Sequence, residues 1–408
     1  MDSFINFSYQ RHVPLMRAVD ASFSTVSAEF KKLKTAHERV DFSYDYMKSK
    51  LSFAPEIFFE ERRVKSDDLS LKYRQKGNEL FLANKCQEAL VQYVKSIAFA
   101  KNGSSLLGLA YANRSAVLFQ KEFYKECLED IERALQSNYP DHLKEKLIDR
   151  QKRANTLKEL NQRHLCYHQP TPNLIKKNAR IPAAADCVEM KNTESYGIHV
   201  VTTRDVKPGE VISVEKPFVE WFESMTGDEF LHCNECLELC FNMVPCKNCP
   251  DALYCSNTCK DVSVCKHMCN VSSFYLEKLP GVKVTLFGAK YINKGSDNDS
   301  EERNISDQYK EILALETNER LRDAIVLFKI ALVAGTIFHV LKRNANFMGQ
   351  IAVNKTILKA MLYRNLLVQF CSSIAISKIG LLNHGMETSL VARGMYPFSS
   401  HHSHSCAP

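Results

Sequence analysis

The stretch from Cys233 to Cys269 reads CNECLELCFNMVPCKNCPDALYCSNTCKDVSVCKHMC and holds nine of the chain's fifteen cysteines. Tetrahedral structural zinc takes four cysteine or histidine ligands, and closely spaced pairs let one turn supply two of them. A stretch this short cannot build an apolar core, so bound metal is expected to supply its folding energy. Eight of the cysteines form four such pairs, which predicts two zinc ions: Cys233 with Cys236, Cys246 with Cys249, Cys255 with Cys259, and Cys265 with Cys269.

In a cross-braced module the first and third pairs share one ion, and the second and fourth pairs share the other. His267 could replace Cys265 as a ligand. If this segment is helical, Cys265 and Cys269 share a face because they are four positions apart, which favours Cys265. Cys240 is left over and is interpreted as a small buried residue. A disulfide-stapled secreted module is the alternative, but the N-terminal MDSFINFSYQRHVP lacks the apolar run of a signal peptide.

Length and charge limit the function classes. A chain of 408 residues is long enough for two or three domains. Its formal charge of +7 becomes +3 once eight thiolates and two zinc ions are included, which is too mild to indicate direct nucleic-acid binding. Residues 324–341 form the most apolar segment, yet they contain Lys329 and His339 and are expected to be too short and too polar to span a membrane. A soluble intracellular protein is expected.

Residues 69–140 predict two consecutive pairs of helices, separated by a breaker at residues 102–105. A further helix is predicted over residues 141–162. The pattern resembles the tetratricopeptide repeat, and an unrelated helical hairpin bundle is the alternative. Small residues stand where paired helices must approach closely: Gly77, Ala89, Ser115, Cys127 and Ala134. Bulky residues, Tyr93 and Ile131, fill the gaps between pairs.

The remaining segments give coarser expectations. Residues 23–40 show apolar residues at helical spacing. Residues 200–203 predict a strand, residues 205–210 a turn and residues 211–215 a returning strand. Residues 294–304 are polar and are expected to be a disordered loop. Residues 305–379 show a helical pattern.

The order of strands, cysteine cluster, helical segment and a terminal G-x-Y-P…H-S-C-x-P resembles the SET and MYND domain family, which are protein-lysine methyltransferases. The helix pairs that precede it resemble those of the family's member 4 branch. The resemblance covers residues 69–408. It implies an α+β multidomain fold, in which helical tetratricopeptide repeats are followed by a split SET β-fold that is interrupted by a MYND zinc module and a helical insert.

The resemblance divides the chain into seven segments. Residues 1–68 are an N-terminal helical extension, 69–165 the tetratricopeptide-like repeats, and 166–185 a linker. The SET fold begins with residues 186–232, and the MYND zinc finger occupies residues 233–269. Residues 270–370 form the helical SET insert, and residues 371–408 belong to the SET core, which the resemblance implies is truncated.

Four residues match cofactor-contacting positions of the family, and they imply S-adenosylmethionine as a cofactor beside the two zinc ions. Gly197 matches the glycine of the first cofactor loop. Ser372 lies in the segment 371–376, which resembles a cofactor-contacting helix. Ser403 and His404 match the Asn-His of the terminal signature. At positions 372 and 403 this chain has serine where the family has asparagine. A serine hydroxyl cannot supply the paired donor and acceptor of an asparagine side-chain amide.

The catalytic tyrosine and the cysteine-rich post-SET segment of the family would follow Pro408, so no catalytic residue is assigned and the chain is expected to be weakly active or inactive alone. The implied substrate is a lysine side chain of a histone or another protein, in the cytoplasm and nucleus. The alternative function is a non-catalytic adaptor that recruits protein partners, as in a corepressor, through the repeats and the MYND module. No membrane partner is expected.

Overall fold

The structure is a computed structural model that describes residues 2–50, 64–160, 172–222, 228–262, 284–286, 288–289, 300–343, 348–349, 353–382 and 385–402. The described helices are α1 Asp2–Lys32, α2 Ala36–Ser49, α3 Asp67–Leu82, α4 Cys86–Phe99, α5 Ser105–Gln120, α6 Tyr124–Leu135, α7 Lys144–Leu160, α8 Asn257–Val262, α9 Ser300–Ala314, α10 Ala324–Lys342 and α11 Lys355–Ser372. The described strands are β1 Val188–Thr193, β2 Gly197–Thr202, β3 Val219–Phe222, β4 Val244–Pro245, β5 Leu253–Tyr254, β6 Ser373–Leu382 and β7 Gly385–Met395.

Helices α1 and α2 pack against α10 and α11 in one apolar core. The ring of Phe328 on α10 lies 5.4 Å from that of Phe23 and 5.3 Å from that of Phe30. Burying a side chain of this size contributes about 1.5–3 kcal/mol. The helices approach closely at Gly335, where a β-carbon would come within 2.9 Å of Tyr44 Cβ. The N-terminal helices therefore share a core with helices that lie far along the chain.

Helix α10 is the one helix in the described part of the chain whose length and composition would allow it to cross a membrane. The prediction that this segment is too short and too polar for that is therefore wrong by this measure. Of its most apolar window, 67% is buried inside the protein, as in the core helix of a soluble protein. The burial of α10, and not its length, identifies it as part of the core.

Helices α3–α7 form a second group, the helix-pair unit (residues 67–160). Each helix packs on the next one along the chain, and α5 also contacts α3 and α7. A β-carbon at Gly77 would lie 2.5 Å from Cε1 of Tyr93, so the glycine allows α3 and α4 their close approach. Ala89, Cys127 and Ala134 are fully buried. The expected helix pairs are confirmed, and their identity as tetratricopeptide repeats stays a prediction.

The strands form three small sheets within the described residues. β1 pairs with β2, β4 pairs with β5, and the third sheet has the order β3-β7-β6. All pairs are antiparallel. Since β3 precedes the cysteine-rich stretch and β7 follows α11, the cysteine-rich stretch and α9–α11 are inserted between two strands that pair. A complete split SET fold stays a prediction, as do the seven segment boundaries.

Several expected elements differ from the observed ones. Residues 371–376 are not one helix, because α11 ends at Ser372 and β6 begins at Ser373; the helical pattern of residues 305–379 likewise ends there. The loop expected over residues 294–304 is helical from Ser300 onward, and its earlier residues lie outside the described ranges. Residues 211–215 make a single bridge, Ser213 with Ala184, instead of a strand. Strand β2 and the turn after it agree with expectation.

Candidate functional site

Four cysteines lie close enough together to hold one metal ion. The Sγ atoms of Cys233, Cys236, Cys255 and Cys259 all lie within 4.8 Å of one another. Cys255 Sγ is 3.7 Å from Cys236 Sγ and 3.6 Å from Cys259 Sγ. A tetrahedron with Zn–S bonds of about 2.3 Å separates its sulfurs by about 3.8 Å, so this spacing suits zinc. The structure thus brings together the first and third pairs, as expected for a cross-braced module.

The first two cysteine pairs are closed by turns of the same form. The backbone N–H of Glu235 donates to Cys233 Sγ at 3.4 Å, and that of Asn248 donates to Cys246 Sγ at 3.4 Å. Such donors stabilise a thiolate. Cys246 and Cys249 are both buried, and the other proposed ligands of their site, Cys265, Cys269 and the alternative His267, lie outside the described residues. This second site stays a prediction.

Local hydrogen bonds connect the turns to the short strands. The N–H of Asn234 donates to the carbonyl of Leu253, and the N–H of Cys246 donates to that of Ala252. At the start of α8, Ser256 Oγ accepts from the N–H of Cys259 at 3.1 Å, which places Cys259 in the first helical turn. These bonds hold the third pair beside the first. No disulfide joins any of the cysteines that the structure describes.

The four sulfurs cannot all be ionised without a cation. Hydrogen bonds from the thiols of Cys236 and Cys255 lower the pKa of Cys233. In turn, the bond to Cys233 raises the pKa of Cys255 to about 12 and also raises that of Cys236. One thiolate is thus stabilised by protons held on its neighbours, and a dication could replace those protons. A set of four cysteine sulfurs, of which Cys233 is buried and the other three are partly buried, is the donor set of structural zinc, so the residues present fit that ion.

Gly197 stands at the turn between β1 and β2. Its φ is +62°, a left-handed conformation that glycine adopts without strain. No heavy atom lies within 4 Å of the position that a β-carbon would take. The turn from Ser399 to His401 contacts β2, and the ring of His401 hydrogen-bonds with the backbone of Ile198. Gly197 therefore lies next to the segment that leads into Ser403.

Glu215 positions this terminal segment, and the sequence reasoning missed it. Its carboxylate accepts from the N–H of Phe398 at 2.9 Å and from that of Ser399 at 2.7 Å. Phe398 is buried among Ala184, Cys187 and Val188. Burial lowers the pKa of His401 in the same turn, where Glu215 acts in the opposite direction. No spacing motif marks Glu215, since its partners are backbone groups 183 and 184 residues away.

The other proposed cofactor residues are placed only in part. Ser372 is the last residue of α11, and its neighbour Ser373 pairs with Met395 of β7. The structure describes Ser372 by its backbone alone. Ser403 and His404 lie outside the described residues. The structure therefore brings Gly197 near the approach to the terminal signature, and the contacts of Ser372, Ser403 and His404 stay predictions.

Comparison with known proteins gives one consistent group of relatives. No protein-family model matches the chain. The chain is 31% identical over 212 residues to protein-lysine N-methyltransferase SMYD4 of Danio rerio, an alignment that covers 48% of this chain and 28% of that protein. It is 27% identical to the protein of the same name from Mus musculus, over 48% of the chain and 32% of the relative. The corresponding protein of Homo sapiens is 26% identical, with the same two coverages.

The matched region spans about a third of the length of these curated relatives. All five significant matches carry the same name. The resemblance to the SET and MYND family, and to its member 4 branch, is thereby confirmed.

Proposed function

Because this chain is related to the SET and MYND methyltransferases of the member 4 branch, we propose that it is an S-adenosylmethionine-dependent protein-lysine N-methyltransferase. The relatives are named for methyl transfer to protein lysine, and such a reaction requires a methyl donor and a protein substrate. The relatives are matched over about a third of their length, so the activity is a proposal for this chain.

The observation that carries this proposal is the adjacency of Gly197 to the terminal turn. The glycine turn and the segment entering the terminal signature are distant in sequence, and family resemblance assigns both to the cofactor. Their contact through Ile198 and His401 supports a shared cofactor wall. The pairing of β3 with β7 across the inserted segments supports a split β-fold around it.

In this proposal the backbone of Gly197 and the side chains of Ser372, Ser403 and His404 hold S-adenosylmethionine. When bound, the cofactor supplies the methyl group on its sulfonium. Glu215 fixes the position of the terminal turn by accepting its N–H groups. The open space at Gly197 allows another molecule to approach the backbone directly. The cysteine ligands hold zinc as a structural ion, away from the methyl transfer.

Calorimetry with S-adenosylmethionine tests the proposal, using two matched glycine variants. Gly197→Ala and Gly209→Ala both place a β-carbon on a residue with positive φ and no heavy atom within 4 Å of it. They should carry similar backbone strain, yet only Gly197→Ala should weaken cofactor binding, by about tenfold or more. Equal binding by the two variants, or no binding by the unaltered chain, would contradict the assignment. Transfer of a labelled methyl group to histones or lysate proteins then tests the reaction itself.

A second candidate function is protein recruitment. Helices α3–α7 would be tetratricopeptide repeats that take a peptide, and the zinc module would take a proline-rich segment. The packing of the cysteine-rich stretch on these helices favours it, because Phe241 contacts Phe123 and a partner could therefore reach both parts at once. Binding of proline-rich peptides, followed by fluorescence anisotropy, in a chain that does not bind S-adenosylmethionine would favour this function over catalysis. Residence in the cytoplasm and nucleus also stays a proposal, which imaging of the tagged chain checks.

A further inference from the structure

The described part of the cysteine-rich region, here called the cysteine module (residues 228–262), shares an apolar core with the helix-pair unit. The ring of Phe241 lies 5.3 Å from that of Phe123, and the ammonium of Lys95 lies 4.7 Å above the ring of Phe230. Four side chains of the module are at least 98% buried in the same cluster as the helices: Leu231, Phe241, Met243 and Leu253. The module therefore supplies part of the core of the helices.

A buried ion pair of the helices also bonds to the module. Arg114 of α5 donates to both carboxylate oxygens of Asp130 of α6, at 2.6 and 2.8 Å, and both side chains are fully buried. Arg114 Nη2 donates to the carbonyl of Met243 at 3.0 Å. A buried charge that loses hydrogen-bond partners is destabilised. The charge of Arg114 is thus satisfied in part by the backbone of the module.

A second arginine and an amide extend these contacts. Arg133 Nη1 donates to Asp130 at 2.9 Å and to the carbonyl of Asn242 at 2.7 Å. The side-chain amide of Asn242 donates to Glu129 at 2.6 Å. Cys240 Sγ donates to Asn242 Oδ1 at 3.3 Å. Burial raises the pKa of Cys240 to about 11, so its thiol keeps the proton that it donates. The leftover cysteine of the cluster thereby belongs to this interface.

The interface lies between the metal-binding turns. Residues 240–243 connect the first Cys-x2-Cys turn to the second, and Asn102 of the α4–α5 loop donates to the carbonyl of Lys247 inside the second turn at 2.8 Å. Leu253 enters the shared core two residues before Cys255. The helices therefore hold the chain on both sides of the sulfur atoms. The spacing of the zinc ligands depends on the helices, and the burial of the helices depends on the module.

We propose that the helix-pair unit and the zinc site of Cys233, Cys236, Cys255 and Cys259 form one thermodynamic unit, in which metal binding stabilises the helices and the folded helices raise the affinity of the site for the metal. Such coupling is reciprocal, because a free energy that links two sites acts equally in both directions. Removing zinc loosens the module, which deprives Arg114 and Arg133 of their carbonyl partners and uncovers the apolar face of the helices. The state of the metal thus sets the stability of the helical surface.

The first test measures the zinc affinity of the full chain by equilibrium competition with a chromogenic chelator. Asn242→Ala removes the bonds to Glu129 and Cys240 and leaves the cysteine ligands in place. It should weaken the affinity for at least one zinc ion per chain about fivefold or more, within the usual range of such coupling. Asp130→Asn should act in the same direction. The matched control is Asp141→Asn, whose partner Lys144 lies in an exposed pair on the same helical unit; its zinc affinity should equal that of the unaltered chain.

The second test follows urea unfolding of the full chain by circular dichroism, with zinc and after its removal by chelation. The helical transition should move to lower urea when zinc is removed, and the shift should be smaller in Asn242→Ala. An unchanged transition, or equal zinc affinities in all folded variants, would overturn the inference. Purified chain without zinc would overturn the metal site itself, which elemental analysis distinguishes from a zinc-loaded chain without coupling.

Discussion

Tyr93 places its ring directly over Gly77, and its hydroxyl donates to Asn78 at 2.9 Å. Here the glycine is needed for space, because a β-carbon would meet aromatic carbons. At Gly197 the space is open and the backbone needs the glycine, because its φ is +62°. The same residue type therefore answers a packing requirement at one position and a conformational requirement at the other. Each requirement leads to a different experiment.

Gly77→Ala should lower the free energy of unfolding by about 1–3 kcal/mol, the usual cost of overpacking. The sign of this change is informative. In a helix interior without such a contact, alanine is favoured over glycine by about 1 kcal/mol, so the substitution would stabilise the protein. Chemical denaturation followed by circular dichroism measures the change. Glu79→Ala, at an exposed position on the same helix, is the control and should change stability by less than about 0.5 kcal/mol. A stabilised Gly77→Ala protein would contradict the observed contact.

Cys236→Ser should remove one zinc ion per chain, because it takes one of four sulfurs from the tetrahedron. Elemental analysis of the purified variant measures this. Cys187→Ser, which alters a buried cysteine outside the module, should keep the zinc content of the unaltered chain.

The ligand expected from sequence in the second site can be tested in the same way. Cys265→Ser should lose an ion, whereas His267→Ala should not. The reverse outcome would make His267 the seventh ligand.

At the level of helices and strands, the crossing of α2 and α10 contains a titratable group. The ring of His339 stacks on that of Tyr44 with centroids 3.6 Å apart. Burial lowers the pKa of His339, and Lys342 and Lys359 lower it further, whereas Asp41 and Asp45 act in the opposite direction. The unfolded chain therefore binds a proton at His339 more readily than the folded chain does near and below pH 6.5.

The free energy of unfolding should accordingly fall as pH is lowered from 7.5 to 5.5, through the window between the ordinary histidine pKa and the lower folded value. In His339→Phe, which keeps a ring against Tyr44, this fall should be smaller. Urea unfolding of both proteins at the two pH values measures the difference. The same pH dependence in both would show that His339 does not titrate across the folding transition.

The long helices and the grouping of Cys233, Cys236, Cys255 and Cys259 could be predicted from sequence because their signals are local. Apolar spacing indicates a helix, and Cys-x2-Cys spacing places two ligands on one turn. The end of α11 at Ser372 could not be predicted, because Ser373 is drawn into β6 by pairing with Met395 of β7. The contact of Arg114 with Met243 was invisible for the same reason, since 129 residues separate the partners. Both the end of α11 and the bond of Arg114 depend on contacts between residues that are distant in the sequence.

At the level of the whole molecule, the described part of the chain alternates between its two largest apolar cores. The first contains side chains of α1 and α2, β3, and α9–α11; the second contains those of α3–α7 and the cysteine module. The chain thus enters each core more than once. Consecutive segments of sequence do not correspond to separate compact bodies, and stability should be shared across segments that a linear division would separate.

A chain of residues 64–262 with zinc should therefore be more resistant to urea than residues 64–160 alone. The shorter chain lacks Phe241 and Met243, leaves apolar surface uncovered and removes a carbonyl partner of Arg114. Each uncovered large apolar side chain costs about 1.5–3 kcal/mol. Circular dichroism during urea titration compares the two chains. Equal midpoints would show that the helix pairs are stable without the module.

The salt bridge between Asp41 and Lys359 joins residues 318 positions apart, across the core that α2 shares with α10 and α11. A ribosome adds about 5–20 residues per second, so about 15–60 seconds separate the synthesis of the two partners. The second core can close once residue 253 has emerged, whereas the apolar faces of α1 and α2 must wait for the later helices. During that interval the apolar faces of α1 and α2, near the N-terminus of the nascent chain, remain uncovered. The order of synthesis thus leaves the first helices of this protein without their packing partners for most of the time that the chain is being made.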